Sequence, residues 1–167
     1  MGVAIFDPVT HTRQVLSGLV PDNILDAWVS KQTYINQLEL IAVLAAVLTF
    51  GQACLQGRDV IFFIDNTSVL NACVHGYVKD TDSDLASMSN LLHLALAQLQ
   101  CTCWFELVNS AANIADLPTH PQDSGADYLY TLLSLKTDDS LCLPTLLELT
   151  TPRMHQLFSL AAFSERV

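Results

Sequence analysis

The chain has 167 residues, 51% of them apolar and 14% charged, with a mean hydropathy of +0.36. That composition excludes intrinsic disorder, fits one domain with an appendage, and supplies enough apolar side chains for a core. A net charge of −10, from 17 acidic and seven basic residues, argues against a self-sufficient nucleic-acid binder with a basic face.

Gly2 to Phe6 (GVAIF) reads as a short buried strand, and Asp7-Pro8 opens a turn. Gln14 to Val20 is a plausible antiparallel partner, ended by Pro21-Asp22-Asn23. The segment from Asp22 to Thr33 is mixed and carries Trp28.

Asn36 to Leu55 is the clearest helix. It is rich in Leu and Ala and apolar nearly all round, which predicts burial between layers. Asn36 fits an N-cap, with Glu39 three residues later as in a capping box, and Gly57 closes the helix. The longest apolar stretch, from Leu38 to Phe50, is too short to cross a bilayer and carries Glu39 in its first turn. No basic segment precedes an apolar run at the N-terminus, so a secretory signal is not expected. The five cysteines (Cys54, Cys73, Cys101, Cys103, Cys142) are scattered, and the lone CxC is a poor zinc pattern. Reduced, half-buried thiols in an intracellular, non-membrane protein are the expectation.

Asp59 to Ile64 (DVIFFI) is a continuous apolar run of the kind a central strand shows, ended by Asp65 and Asn66. Thr67 to Val74 fits a short helix. The acidic stretch Asp80 to Asp84 caps a helix running to about Gln100. Cys103 to Val108 alternates as a strand, and SAANIAD starts another turn or helix. A shift in composition across residues 118–125, with Pro118 and Pro121, divides a domain over 1–120 from a C-terminal helical extension or linker over 121–167. Within that extension, Tyr128 to Leu135 and Pro152 to Phe163 look helical. The order β-β-α-β-α-α-β-α predicts a mixed α/β domain.

Three acidic residues stand at element ends: Glu39 at a helix start, Asp65 after a strand, and Asp116 after another strand. Carboxylates gathered in this way suit divalent metal chemistry, in which paired ions activate water and stabilise a leaving oxygen. Each also has an ordinary structural reading. Glu39 fits a capping-box glutamate, Asp65 an N-cap, and Asp116 a first-turn aspartate. Asp65 is the hardest to dismiss, because open α/β sheets place ligand-contacting groups after such strands.

Taken in order, the segments QLELIAV (37–43), IDNTS (64–68) and VNSAANIADLP (108–118) resemble the ribonuclease H domains of retroelement reverse transcriptases. The resemblance covers about residues 2–120. It implies an α/β, ribonuclease H-like fold, with a mixed sheet flanked by helices. It also implies Glu39, Asp65 and Asp116 as the second, third and fourth metal-binding carboxylates, with Asn66 and Asn113 beside them against the nucleic-acid backbone. The implied cofactor is Mg²⁺ or Mn²⁺, and the implied substrate is the RNA strand of an RNA–DNA hybrid, cut to leave a 3′-hydroxyl. The reverse transcriptase domain of the parent polyprotein would be a partner.

The departure from that pattern is at the front. The family's first catalytic aspartate lies on a strand before the one matched by GVAIF, so the first strand is expected to be missing and the chain N-terminally truncated. Asp7 is a poor substitute because an Asp-Pro turn accounts for it. Two other readings follow: a non-catalytic remnant serving as a packing or interaction module, and a related 3′–5′ exonuclease. His120, four residues after Asp116, could assist proton transfer, though a loop histidine is the plainer reading. Trp28 and Trp104 read as core or edge packing. Lys31, Arg58 and Lys79 are too few to define a phosphate groove.

Overall fold

The computed structural model describes residues 1–76, 78, 83–119 and 136–138. The fold is mixed α/β, with two small sheets and four α-helices among the described residues. The helical expectations for Tyr128 to Leu135 and Pro152 to Phe163 lie outside those residues, as does the proton-transfer expectation for His120.

β1 (Gly2–Asp7) and β2 (Thr12–Ser17) form an antiparallel hairpin in register from Gly2 opposite Ser17 to Asp7 opposite Thr12. The short β5 (Lys136–Asp138) pairs in parallel with Gln14 to Leu16, on the far side of β2 from β1. Part of the segment read as an extension therefore joins the first sheet.

The hairpin turn is held by Asp7. Its carboxylate accepts from the Val9 amide (2.9 Å), the Thr10 hydroxyl, and Nη1 of Arg58 (2.7 Å). The Thr10 hydroxyl contributes most to holding the Asp7 carboxyl well below the usual carboxylate range, with the Val9 amide and Arg58 adding to it against the opposing effect of burial. Because Arg58 immediately precedes β3 (Asp59–Ile64), the contact ties the end of β1 to the start of β3. It also takes one of the chain's few cations out of any phosphate-binding role.

The helix expected over 36–55 begins one residue earlier. α2 (Ile35–Phe50) continues into a π-turn over Gly51–Leu55, where the Leu99 side chain lies against Gly51. A β-carbon on Gly51 would lie 3.0 Å from Leu99 Cδ1, so the glycine admits that close approach. Gly57, at φ +67°, then turns the chain into β3, as a left-handed residue following a helix does. By length and composition, the 21-residue helical run Ile35–Leu55 could cross a membrane. Its packing is that of a core helix: Leu40, Ile41, Leu44 and Val47 are buried, the helix packs on α4 (Ser83–Gln98), and Ala42, Val43 and Ala46 line a groove beside β1 and β3.

β3 pairs in parallel with β4 (Thr102–Leu107), in register from Asp59 opposite Thr102 to Ile64 opposite Leu107. A parallel pair needs a crossover, and α3 (Thr67–His75) and α4 provide it. Phe62 and Phe105 stack between the two strands, with ring centroids 5.3 Å apart. The central-strand expectation for β3 is corrected here. Among the described residues β3 pairs on one side only, and Ile61 and Phe63 are 59% and 63% exposed. Its run is apolar on both faces, yet only Val60, Phe62 and Ile64 pack inward.

A short helix, α1 (Asp22–Leu25), sends Ile24 into the core. The segment after it is pinned to α4 by Asp84, which accepts from the Val29 amide at 2.9 Å and lies 4.0 Å from Lys31 Nζ. Trp28 lies against Tyr34 at 5.7 Å and packs on the core, whereas Trp104 is exposed on β4 and donates to Glu106. Cys54 and Cys73 are buried and Cys101 and Cys103 half-buried, all as free thiols.

The Asp7 contacts predict a specific pH dependence. A carboxyl held low contributes stability that is present above the ordinary aspartate pKa of about 3.9 and is lost as pH falls towards its folded value. Asp7→Asn should therefore unfold at lower urea than the parent at pH 7, with the gap narrowing at pH 3. Equal gaps at both pH values would remove the assignment.

Candidate metal centre

The three acidic residues come from three different elements. Glu39 is on the second turn of α2, Asp65 directly follows β3, and Asp116 lies in a 3₁₀ turn over Ile114–Thr119. All three are half-buried. Glu39 and Asp65 line the same groove, a cavity of about 650 Å³ between β1 and β3, roofed near this end by Ala112 to Ala115.

Their charges act on one another. The Glu39 carboxyl is pushed above its ordinary range, first by burial, then by repulsion from Asp65 and from Asp116; the terminal ammonium at Met1 partly offsets this. Burial and two nearby like charges make ionising Glu39 costly, a perturbation found both at functional sites and in structural charge clusters.

The structural alternatives for two of the three are removed. The residue preceding α2 is Tyr34, without a side-chain cap, so Asn36 is not the N-cap and Glu39 is not its capping-box partner. That correction arises because the helix starts one residue before the polar signal. The cap of α3 is Asn66, whose Oδ1 accepts from the amides of Ser68 (2.9 Å) and Val69 (3.1 Å). Such a cap is worth about 1 kcal/mol. Asp65 is thereby left out of the capping role.

Asn36 and Asn66 instead bond each other. Nδ2 of Asn66 donates to Oδ1 of Asn36 at 3.1 Å, linking the first turn of α2 to the end of β3. This is the contact that sequence reasoning missed, and only the pairing of two asparagines at element ends hinted at it. Both ends of the Asn66 side chain are engaged within the protein. Asn113 likewise turns inward: its Oδ1 accepts from the Ala115 amide at 3.1 Å and its Nδ2 donates to Asp116 Oδ1 at 3.3 Å. It orients Asp116.

Carboxylate oxygens are the donors that Mg²⁺ and Mn²⁺ favour, and mutual repulsion is relieved by a cation. The donor chemistry therefore fits such an ion. The positions are less complete: among the described residues, no three His, Cys, Asp or Glu side chains are gathered tightly enough to hold one metal. Glu39 and Asp65 line the groove and Asp116 lies near enough to act on Glu39, without the three forming a closed cage. Asp7 cannot complete the set, since it is bonded to Arg58 at the opposite end of β1.

Comparisons with known protein families, with characterised proteins and with solved structures find no match.

Charge relief at Glu39 can be measured directly. Raising a carboxyl's folded pKa costs stability as pH rises through the range between its unfolded and folded values. In metal-free buffer at pH 8, Glu39→Gln should raise Tm by about 2 °C, a gain that disappears at pH 4 where the carboxyl is protonated. A variant that melts lower at pH 8 would contradict the repulsion.

Proposed function

We propose that the chain is a ribonuclease H-like domain of retroelement reverse-transcriptase type. In its intact form such a domain hydrolyses the RNA strand of RNA–DNA hybrids with Mg²⁺ or Mn²⁺. The observation that carries this reading is the electrostatic convergence of Glu39, Asp65 and Asp116 from a helix, a strand end and a turn. These are the three carboxylates that the sequence resemblance selects, met in the same order.

A bound divalent ion supplies Lewis acidity and lowers the pKa of water. Glu39 and Asp65 would hold the ion that activates water, and Asp116 would help to bind a second. The water oxygen bonds to phosphorus as the P–O3′ bond breaks, which leaves a 3′-hydroxyl and a 5′-phosphate. Asn113 keeps Asp116 oriented, and the Asn36–Asn66 bond fixes the turn bearing Glu39 relative to Asp65.

The weak point of the enzyme is substrate affinity. The chain has only seven Lys and Arg, and of these Arg58 is tied to Asp7 and Lys31 lies beside Asp84, so few cations are left for phosphates. The neighbouring reverse transcriptase domain of a polyprotein would hold the hybrid in its place, inside the cell. A second reading, a non-catalytic remnant that keeps the fold as an interaction module, is favoured by one observation: the acidic side chains do not enclose a metal position.

A labelled RNA–DNA hybrid incubated with the purified chain and Mg²⁺ or Mn²⁺ distinguishes these readings. Internal cuts in the RNA with 3′-hydroxyl ends are expected, reduced to background by EDTA or by Asp65→Asn. No cutting with either metal would leave the interaction module. Shortening of single-stranded DNA from its 3′ end would indicate an exonuclease.

A further inference from the structure

Cys101 and Cys103 take no part in the carboxylate site. They form a CxC at the entry to β4. Side chains two residues apart on a strand share a face, and both of these thiols turn to the side that packs on the core. Their sulfurs meet at 3.4 Å, and Cys101 Sγ also donates to the Leu96 carbonyl at 3.7 Å. Both are free and half-buried. The backbone between and before them is pinned. The Cys101 amide donates to the Leu96 carbonyl (3.4 Å), and the Thr102 amide donates to that of Arg58 (2.9 Å). The two sulfurs are therefore held together before anything binds.

Size decides among the reactions open to such a pair. A disulfide needs Cβ atoms about 3.5–4.5 Å apart, whereas alternate strand residues are spaced by roughly 6.6 Å, so closing it would distort the start of β4. A structural zinc site takes four donors, and the sequence has no second closely spaced Cys or His pair to complete one. A soft univalent d¹⁰ ion has other needs. Cu(I) is satisfied by two thiolates, and two metal–sulfur bonds of about 2.3 Å, the length seen with zinc, bridge sulfurs up to about 4.6 Å apart. Sulfurs that start at 3.4 Å reach that separation by side-chain rotation, with the β3–β4 ladder intact.

We propose that Cys101 and Cys103 form a two-thiolate site for Cu(I). Binding replaces two S–H bonds by two Cu–S bonds and releases two protons to solvent. The metal enters and stays as Cu(I), so no electron is transferred. Burial, then the hydrogen bond and charge of Cys101, push the Cys103 thiol up to about 12, so Cys103 keeps its proton until a cation displaces it. Thiolate donors favour a soft ion over Mg²⁺, which separates this site from the carboxylates in chemistry. It is separate in space as well. Cys103 pairs with Val60, and Asp65 lies five residues further along the chain, roughly 16 Å at strand spacing. The inference does not rest on the nuclease reading.

Anaerobic titration of the full chain with Cu(I), in competition with the chromophoric chelator bicinchoninate, tests the site. Retention of one Cu(I) per chain is expected. X-ray absorption at the copper edge, on the unaltered protein, should show two sulfur neighbours. Cys101→Ser and Cys103→Ser should each weaken retention by about 100-fold, because a single thiolate no longer chelates. Cys73→Ala, which removes a buried thiol elsewhere, should leave it unchanged. Failure to hold Cu(I) against the chelator, retention indifferent to both serine changes, or displacement by equimolar Zn²⁺ overturns the proposal. Oxidation of the pair to a disulfide in a glutathione buffer of cytosolic poise, seen by mass spectrometry, overturns it too, because the ligands would be consumed.

Discussion

The arrangement depends on α2 acting as the common wall for two half-sheets that do not bond to each other. β1 and β3 share no hydrogen bonds, so their relative position is set by what they touch. One helix, apolar on nearly every side, packs against α4 on one face and lines the groove between the half-sheets on another. Two polar contacts fix the ends. The Asp7–Arg58 pair joins the half-sheets at one end of the groove, and Asn36–Asn66 joins α2 to β3 at the other. Glu39 lies one turn beyond Asn36, so the same bond that sets the helix also brings its carboxylate towards Asp65.

This explains how a strongly acidic chain can concentrate charge where burial makes it costly. Repulsion among Glu39, Asp65 and Asp116 opposes folding, and the apolar packing of α2 holds against it. Isolated like charges in a half-buried site are stabilised by a cation from outside. A divalent ion is one way of supplying it.

Much of the fold was legible because its signals are local. The strand at Asp59–Ile64 and the helices beginning at Thr67 and ending near Gln98 follow from apolar runs and polar boundaries. The start of α2 was misplaced by one residue, since Asn36 looks like a cap but spends its side chain on Asn66, 30 residues away. The exposure of Ile61 and Phe63 was also hidden, because a sequence records a strand's preference for neighbours without recording whether they are there. The acidic positions were visible as residues at element ends. Their meeting is a tertiary fact, and so is the engagement of Asn66 and Asn113 in orienting the protein's own groups.

The claim on which this account rests is that Glu39 feels Asp65 and Asp116 across the end of the groove. Carbon-13 NMR titration of the Glu39 side-chain carboxyl, in the parent chain and in Asp65→Asn, measures it without any appeal to activity. Glu39 should titrate above the ordinary glutamate range of about 4.3 and shift back towards it when Asp65 loses its charge. An unshifted Glu39, or one indifferent to Asp65→Asn, would mean that the carboxylates do not form a common site.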